Sequence, residues 1–486
     1  MSSDKLKKIL LELYQNGIDE LNKNNLDEAE RYLLLVYNKK KECYINKLYF
    51  NLGVLKHKKN IYNEAYEYFK KSIEINENVL KCYFIISTQF GNNNIDESLL
   101  YLSKLEDLYN KNINIFNDLS FDILDVYVSF GIRYESIGNY NKANEYLFKT
   151  LKLDKNKINA LEILSMYNNV TKNEEYSKLI QYYKINLNDI LKNINSSIDV
   201  GRLYFCLAKS EVELKNYKLS FEYYRKGNTY NTKQFYSMYK KLPDYKNIKN
   251  ILLKNNFIID ANSPKKDYPK VIFIIGIPRS GSTLVESILG CIDNSKTLGE
   301  SNAIFEVVKL KNLDEYFKNL MNFSYLIDKN LSNFEQIPLL IKYFPGCKII
   351  NMNRNCLDNI LSMYTTNIEF YSRYNSADLE DILKYYLYWN DLTNTWKDMY
   401  PGHIYDCYYD KIVNEPKKYI SELVEYLELN WSDKFFNFYK NKRNAYTSSS
   451  YQVKQPIYKT SSNKWHNYKE ELKPIMKLLD ENGIKY

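Results

Sequence analysis

Residues 271–283 read VIFIIGIPRSGST, and this stretch sets the fold class of the C-terminal half of the chain. The first five residues are apolar and mostly β-branched, which predicts a strand buried on both faces of a parallel sheet. A Gly-x-x-x-x-Gly-Ser-Thr loop follows at 276–283, and after it comes an apolar helical stretch, LVESILG. This order of strand, loop and helix predicts an anion site, because backbone N–H groups and the helix N-terminus point at the ligand.

Three further short apolar stretches follow in the C-terminal half, namely YLIDK at 325–329, KIINMN at 348–353 and HIYDCYY at 403–409. Helical stretches such as DLEDILKYYLYWNDLTNTW separate them. Strands that alternate with helices predict an α/β domain with a P-loop-like architecture and a mainly parallel sheet. We expect its ligand at the carboxyl ends of the strands, as in other sheets of this kind.

The loop at 276–283 differs from an ATP-binding loop at one position. A nucleoside triphosphatase places a lysine before the final Ser or Thr, whereas this chain has Ser282 there and carries its positive charge earlier, at Arg279. The missing lysine disfavours an ATP- and magnesium-dependent kinase, which stays an alternative hypothesis. A second alternative is a glycine-containing turn that binds no ligand.

The N-terminal half has a different pattern. All ten prolines lie at position 243 or beyond, so the first half lacks the residue that most strongly breaks helices. Two stretches there, at 48–78 and 130–156, share small residues at matching offsets, with Gly53 and Ala65 in the first and Gly131 and Ala143 in the second. Small side chains allow two helices to pack closely, which predicts repeated pairs of antiparallel helices with a period near 34 residues.

This half resembles the tetratricopeptide repeat family over residues 1–240, although the proline that usually closes each repeat is absent. A nonrepeating helical bundle is the alternative. The resemblance implies an all-α solenoid that presents a surface to a protein or peptide partner. The segment NSPKKDYPK marks the change of pattern. The predicted domains are therefore a repeat array at 1–240, a linker at 241–265 and an α/β domain at 266–486.

The C-terminal half resembles sulfotransferases that use 3′-phosphoadenosine 5′-phosphosulfate (PAPS). PRSGSTLVESIL and the downstream TLGES look like the loop that binds the 5′-phosphosulfate in this family. Four more segments follow in the family's order: YLIDKN, KIINMNRNCLDNILS, HIYDCYYDKIV and SSSYQVKQPIYKTSSNKW. The resemblance covers residues 266–486. It is nearest to the branch that contains tyrosylprotein sulfotransferases and bacterial proteins that join tetratricopeptide repeats to a sulfotransferase domain.

The resemblance implies a set of nucleotide-binding residues. The loop would bind the 5′-phosphosulfate, Arg354 and Ser362 would bind the 3′-phosphate, and Lys464 would lie over the phosphates. An arginine fork and a short hydroxyl suit a dianionic phosphate. The full implied set is Arg279, Ser280, Gly281, Ser282, Thr283, Arg354, Ser362 and Lys464. Asn355-Cys356 stands where the family commonly has Asp-Pro, which makes the shape of the loop after Arg354 an open question.

The resemblance also implies four catalytic residues. Glu300 would be the general base that takes the proton of the acceptor hydroxyl. Lys329, Ser449 and Arg279 would stabilise the negative charge that develops on the leaving phosphate. His466 stays a rival base, because a related sulfotransferase branch uses histidine. No metal is implied, since arginine, lysine, serine and backbone donors make up the phosphate clamp.

Composition limits the other functions. The net charge of +9 comes from 68 basic and 59 acidic residues without a dense basic run, so we expect a small polyanionic ligand and no nucleic acid. No apolar run is long enough to span a membrane. The segment MSSDKLKKILLELYQ lacks the apolar core of a secretory signal, so we expect a cytoplasmic protein.

The predicted function is therefore PAPS-dependent transfer of a sulfuryl group to a hydroxyl, with a protein or peptide tyrosine recruited by the repeats as the leading acceptor. A glycan or small-molecule acceptor is an alternative. So is a catalytically inactive repeat scaffold with a nucleotide-binding domain. The expected partners are the acceptor, PAPS or its product adenosine 3′,5′-bisphosphate, and a second copy of the chain in a homodimer.

Overall fold

A computed structural model describes the chain except for residues 1–2, 40–46, 77–78, 92–93, 118, 255–267, 302–306, 308–312, 314–316, 318, 345, 368–373, 441–454 and 459–460. The chain divides into two compact units, Met1–Ile163 and Leu164–Tyr486. No described helix is both long enough and apolar enough to cross a membrane.

The first unit consists of helices that pack as consecutive pairs. The helices are α1 (Ser3–Asn22), α2 (Leu26–Asn38), α3 (Leu48–Lys58), α4 (Tyr62–Glu74), α5 (Val79–Ile85), α6 (Ile95–Lys111), α7 (Ile123–Ser136) and α8 (Tyr140–Leu153). A Cβ atom on Gly53 would lie 2.7 Å from the Phe69 ring, and one on Gly131 would lie 2.5 Å from Leu147. The predicted close helix crossings at these glycines are thus present. The assignment of the pairs to the tetratricopeptide family stays a prediction.

More helices precede the sheet in the second unit. Helix α9 (Ile158–Tyr167) spans the division between the units, and the following helices are α10 (Glu174–Ile185), α11 (Leu187–Asn193), α12 (Ser197–Glu213), α13 (Tyr217–Tyr239) and α14 (Tyr245–Lys254). Helix α14 lies inside the stretch predicted as a linker. The predicted domains are drawn from sequence similarity and not from compactness, so their boundaries stay a prediction.

The second unit contains a five-stranded parallel sheet with the strand order β2-β3-β1-β4-β5. The strands are β1 (Lys270–Ile275), β2 (Ser295–Gly299), β3 (Tyr325–Asp328), β4 (Lys348–Asn353) and β5 (Ile404–Tyr408). The parallel α/β prediction is confirmed. The sequence missed β2, because SKTLG forms a short edge strand without an apolar run.

Helices cover both faces of the sheet, so its central strands β1, β3 and β4 are largely buried, whereas the edge strands β2 and β5 are partly exposed. The helices after β1 are α15 (Ser282–Leu289), α16 (Ile337–Tyr343), α17 (Cys356–Tyr364), α18 (Leu379–Met399), α19 (Tyr409–Asn414), α20 (Pro416–Tyr426) and α21 (Lys469–Glu481). Phe273 packs in one core with Trp389 of α18, whereas its neighbour Ile274 packs in a second core with Val285 of α15.

Helices α12 and α13 share the first of these cores. Phe205 and Tyr224 are buried in the same cluster as Tyr468, just before α21. The Ser220 and Tyr468 hydroxyl groups hydrogen-bond at 2.8 Å, and the Asn228 side chain donates to the Tyr364 carbonyl at 2.9 Å. These helices therefore complete the hydrophobic core of the α/β domain, although the sequence analysis assigned them to the repeat array.

This packing generates a prediction about truncated chains. We expect residues 164–486 to unfold cooperatively on heating, as monitored by circular dichroism. A chain of residues 266–486 lacks α12 and α13, exposes the apolar surface that they cover, and should bind the dye ANS without a cooperative transition. Equal melting temperatures and equal dye binding for the two chains would show that the helices are dispensable for the α/β core.

Candidate functional site

The candidate site lies at the carboxyl ends of the parallel strands. Each strand is followed directly by a residue of interest: Gly276 after β1, Glu300 after β2, Lys329 after β3, Arg354 after β4 and Tyr409 after β5. Parallel strands bring their carboxyl ends to one edge of the sheet. The fold thus brings segments that are distant in sequence to the same edge.

At one position of the loop after β1, the backbone conformation and the available space accommodate only glycine. Gly281 has a φ of +93°, and a Cβ atom there would lie 2.3 Å from the Tyr409 ring. Arg279 also has a positive φ, +68°. The Asn359 side chain donates to the Pro278 carbonyl at 2.9 Å and holds the loop against α17. Helix α15 begins directly after Gly281, so its N-terminus faces the loop.

The loop hydroxyl groups are buried, and one has no hydrogen-bond partner among the residues that the structure describes. Ser280 is 1% exposed, and its hydroxyl forms no hydrogen bond with the described part of the chain. Ser282 and Thr283 are also buried. A buried hydroxyl without a partner is rare in folded proteins and indicates a missing ligand or water. A loop with such a donor fits a phosphate or sulfate oxygen.

Two arginines meet at this loop. The Arg279 Nε donates to the Ser362 hydroxyl at 3.2 Å, and Arg354 donates to the Arg279 carbonyl at 2.9 Å and to the Ser461 carbonyl at 2.7 Å. The Arg354 guanidinium lies 5.0 Å from the centre of the Tyr409 ring. Burial and the positive charge of Arg354 lower the pKa of Arg279 to about 10. An anion bound here would relieve this repulsion.

Lys464 belongs to the same cluster of positive charges. Lys464 is exposed on one side, but desolvation by the packed chain lowers its pKa and the charges of Arg354 and Arg279 lower it further. The Asp358 carboxylate accepts hydrogen bonds from the backbone N–H groups of Asn463, at 2.5 Å, and Trp465, at 3.0 Å. Asp358 thereby positions the segment that carries Lys464 against α17.

Asn355, which stands where the family commonly has aspartate, is compatible with an ordered loop after Arg354. The Asn355 side chain accepts a hydrogen bond from the Asp358 N–H at 3.0 Å and caps helix α17. The Asn355 N–H donates to the Asp410 carboxylate at 2.7 Å, and the Ser462 hydroxyl donates to it at 2.8 Å. Asp410 therefore joins the segment after β4 to the segment before Lys464.

A second cluster lies after β2 and β3. The Lys329 ammonium contacts the Glu300 carboxylate at 2.6 Å and the Glu286 carboxylate at 3.9 Å. The Lys329 side chain is 2% exposed, whereas the Glu300 side chain is 52% exposed. Glu300 therefore reaches solvent from one side of a buried lysine, which makes its carboxylate accessible to a second molecule.

Asp328 fixes the backbone beside this pair. Its carboxylate accepts hydrogen bonds from the Ser301 hydroxyl, the Asn330 N–H and the Asn333 side chain. Burial raises the pKa of Asp328 to about 7. Asp328 therefore ties the end of β3 to the residue after Glu300, and it has no direct access to solvent.

The structure thus places the predicted residues in two groups. The predicted nucleotide-binding residues Arg279, Arg354, Ser362 and Lys464 form one cluster with the loop. Glu300 and Lys329 form an ion pair, and Ser449 lies outside the described residues. His466 stacks on Trp465. Within the described ranges, no group of three or more His, Cys, Asp or Glu side chains is arranged to hold a metal ion.

Sequence reasoning missed the acidic residues that organise the site, which are Glu286, Asp328 and Asp358. Asp328 and Asp358 are adjacent to or near predicted residues in sequence. Their hydrogen bonds, however, reach segments as far as 107 residues away.

Residues 311–433 match the model of the family described as Sulfotransferase family. The matched stretch includes Lys329, Arg354 and Ser362, and the loop at 276–283 precedes it. The chain is also 31% identical over 250 residues to an uncharacterized protein of Aquifex aeolicus (strain VF5). That similarity covers 44% of this chain and 32% of the relative, so the chain spans about a third of the relative's length.

Solved structures with similarity to the chain include three sulfotransferases. The sulfotransferase domain from the curacin biosynthetic pathway is 16% identical, covers 41% of this chain and 92% of its own, and has a TM-score of 0.32. The sulfotransferase domain of the Synechococcus PCC 7002 olefin synthase is 16% identical, with 42% and 90% coverage and a TM-score of 0.32. Sulfotransferase STF1 from Mycobacterium tuberculosis H37Rv is 11% identical, with 53% and 89% coverage and a TM-score of 0.28. The similarity to sulfotransferases therefore rests on the family model that residues 311–433 match.

Proposed function

We propose that the chain is a PAPS-dependent sulfotransferase that transfers a sulfuryl group to a hydroxyl acceptor. One observation carries this proposal: the half-buried Arg279 and Arg354 and the more exposed Lys464 gather at the carboxyl edge of the sheet beside the loop. Positive charges that repel one another at one place favour binding of a ligand with several negative charges. A nucleotide with phosphate groups at both the 3′ and 5′ positions meets this requirement.

The loop and the two arginines suit different ends of the donor nucleotide. The Ser280 hydroxyl and the N-terminus of α15 would bind the 5′-phosphosulfate. Arg354 and Ser362 would bind the 3′-phosphate, and the Arg354 Nε has no hydrogen-bond partner in the described part of the chain. Because Ser282 stands where ATP-binding loops have a lysine, these residues favour this nucleotide over ATP.

Glu300 and Lys329 would carry out the transfer. Glu300 takes the proton of the acceptor hydroxyl as its oxygen forms a bond to sulfur. The bond between sulfur and the bridging phosphate oxygen breaks, and its electron pair stays on adenosine 3′,5′-bisphosphate. Lys329 and Arg279 stabilise the charge on that oxygen, a role that we also propose for Ser449. Glu300 must leave its ion pair with Lys329 to act as the base.

The acceptor is a second part of the proposal. We propose a protein or peptide tyrosine that the helical N-terminal region recruits, with a glycan or small molecule as the alternative. The expected cytoplasmic location and homodimer also stay proposals. An inactive scaffold would need Arg279, Arg354 and Ser362 for nucleotide binding but would have no use for Glu300 and Lys329, so separate variants distinguish the two functions.

Nucleotide preference gives the first test. We expect calorimetry to show adenosine 3′,5′-bisphosphate binding at least tenfold more tightly than ADP, a difference of about 1.4 kcal/mol. Arg354→Ala should lose this preference, because its guanidinium would bind the 3′-phosphate. Arg31→Ala removes an exposed arginine of the first unit and should change neither affinity. Equal binding of ADP by the intact chain would contradict the proposed donor.

Transfer gives the second test. Sulfur-35 from labelled PAPS should pass to tyrosine peptides but not to matched phenylalanine peptides. Glu300→Ala should bind adenosine 3′,5′-bisphosphate like the intact chain and transfer about 100-fold more slowly or worse, since general base catalysis supplies about 10²- to 10⁴-fold. Glu422→Ala, which alters an exposed glutamate of α20, serves as the control. Unchanged transfer by Glu300→Ala would contradict the assignment of the base. Labelling of glycans or small phenols alone would replace tyrosine as the acceptor.

A further inference from the structure

Glu286 is a largely buried carboxylate that lies beside the proposed catalytic pair. It belongs to α15, the helix that follows the anion-binding loop, and its side chain is 14% exposed. Burial and the negative charge of Glu300 raise the pKa of Glu286, while the Lys329 ammonium and a backbone hydrogen bond from Gly299 act in the opposite direction. Glu286 thus contacts the ends of both β2 and β3.

The backbone around Glu300 is held from two sides. The Gly299 N–H lies against the Glu286 carboxylate and lowers its pKa, and the Gly299 carbonyl accepts a hydrogen bond from the Lys329 N–H at 2.9 Å. Gly299 has a φ of +62°, and a register shift between β2 and β3 occurs at this residue. Glu286 therefore anchors the turn from which Glu300 reaches solvent.

The charges suggest a second task for Glu286. Among the residues that the structure describes, the carboxylates paired with Lys329 are those of Glu300 at 2.6 Å and Glu286 at 3.9 Å. When Glu300 takes a proton from the acceptor, it becomes neutral and the closer ion pair is lost. A buried ammonium without a carboxylate is costly. Glu286 is then the paired carboxylate that remains.

We propose that Glu286 is a positioning residue that holds Lys329 in place while Glu300 leaves their ion pair to accept the proton. This inference rests on the proposed sulfuryl transfer and assigns a role within the same site. Glu286 does not touch the donor or the acceptor in this role. It acts through Lys329 and through the turn at Gly299.

Another charged group near this cluster is Asp328, at the end of β3. The Asp328 carboxylate interacts electrostatically with Glu286 and Lys329. It is buried, and it accepts hydrogen bonds from Ser301, Asn330 and Asn333. Because these donors already occupy Asp328, Glu286 is the better placed carboxylate to compensate Lys329.

Two substitutions separate charge from hydrogen bonding. Glu286→Gln keeps an oxygen that can accept the Gly299 N–H but removes the charge, whereas Glu286→Ala removes both. We expect Glu286→Gln to bind adenosine 3′,5′-bisphosphate within about threefold of the intact chain, because Glu300 still pairs with Lys329 before transfer. Its turnover of PAPS with a tyrosine peptide should fall about 10- to 100-fold, as expected when an electrostatic contribution specific to the transition state is lost. Glu422→Gln, on an exposed face of α20, is the matched control.

A double substitution tests whether Glu286 acts through Lys329. In Glu300→Gln, residue 300 is neutral throughout and, among the described residues, Lys329 depends on Glu286 alone. Adding Glu286→Gln should therefore reduce the residual turnover by at least the factor that Glu286→Gln causes in the intact chain; a reduction of less than twofold would contradict the inference. Normal turnover by Glu286→Gln with slow turnover by Glu286→Ala would show that Glu286 only bonds to Gly299 and would overturn the inference. Equal losses of bisphosphate binding and turnover would overturn it as well. If the intact chain binds the bisphosphate but transfers nothing, the proposed transfer fails and this role fails with it.

Discussion

Positive charge concentrated at one edge of a parallel sheet is the constraint around which the second unit is organised. Arg279 and Arg354 lie so close that the Arg354 side chain bonds to the Arg279 backbone, and Lys464 adds a third charge. The two nearby aspartates accept hydrogen bonds from backbone or hydroxyl groups: Asp358 holds the segment of Lys464, and Asp410 holds the start of α17. The positive charge is thus preserved for a ligand, while the acids fix the geometry around it.

The main elements of the α/β fold could be predicted because its central strands are buried on both faces. Such strands are apolar runs in the sequence, and β1, β3 and β4 were predicted within a residue of their ends. The edge strand β2 was missed because SKTLG is short and largely polar. The involvement of α12 and α13 in the same core was also missed, since periodicity shows that a helix has an apolar face but not which element covers that face.

In the predicted site, the positions of the cations follow from local sequence, whereas the carboxylates that orient them depend on contacts between distant segments. Arg279, Lys329 and Arg354 directly follow or lie near the ends of strands, so their approximate position follows from the fold. The carboxylates that orient them cannot be found in this way: Glu286 meets Lys329 across 43 residues of sequence, and Asp358 meets Trp465 across 107. Only the packed chain shows that these acids share the edge of the sheet with the cations.

A crystal structure of the intact chain with adenosine 3′,5′-bisphosphate would show whether the positive cluster is a nucleotide site. The 5′-phosphate should lie against Ser280 and the N-terminus of α15, and the 3′-phosphate should contact both Arg354 and Ser362. A nucleotide bound in the reverse orientation, or bound away from Arg354, would contradict the proposed donor site. In that case the cluster of arginines and lysine would require a different anion.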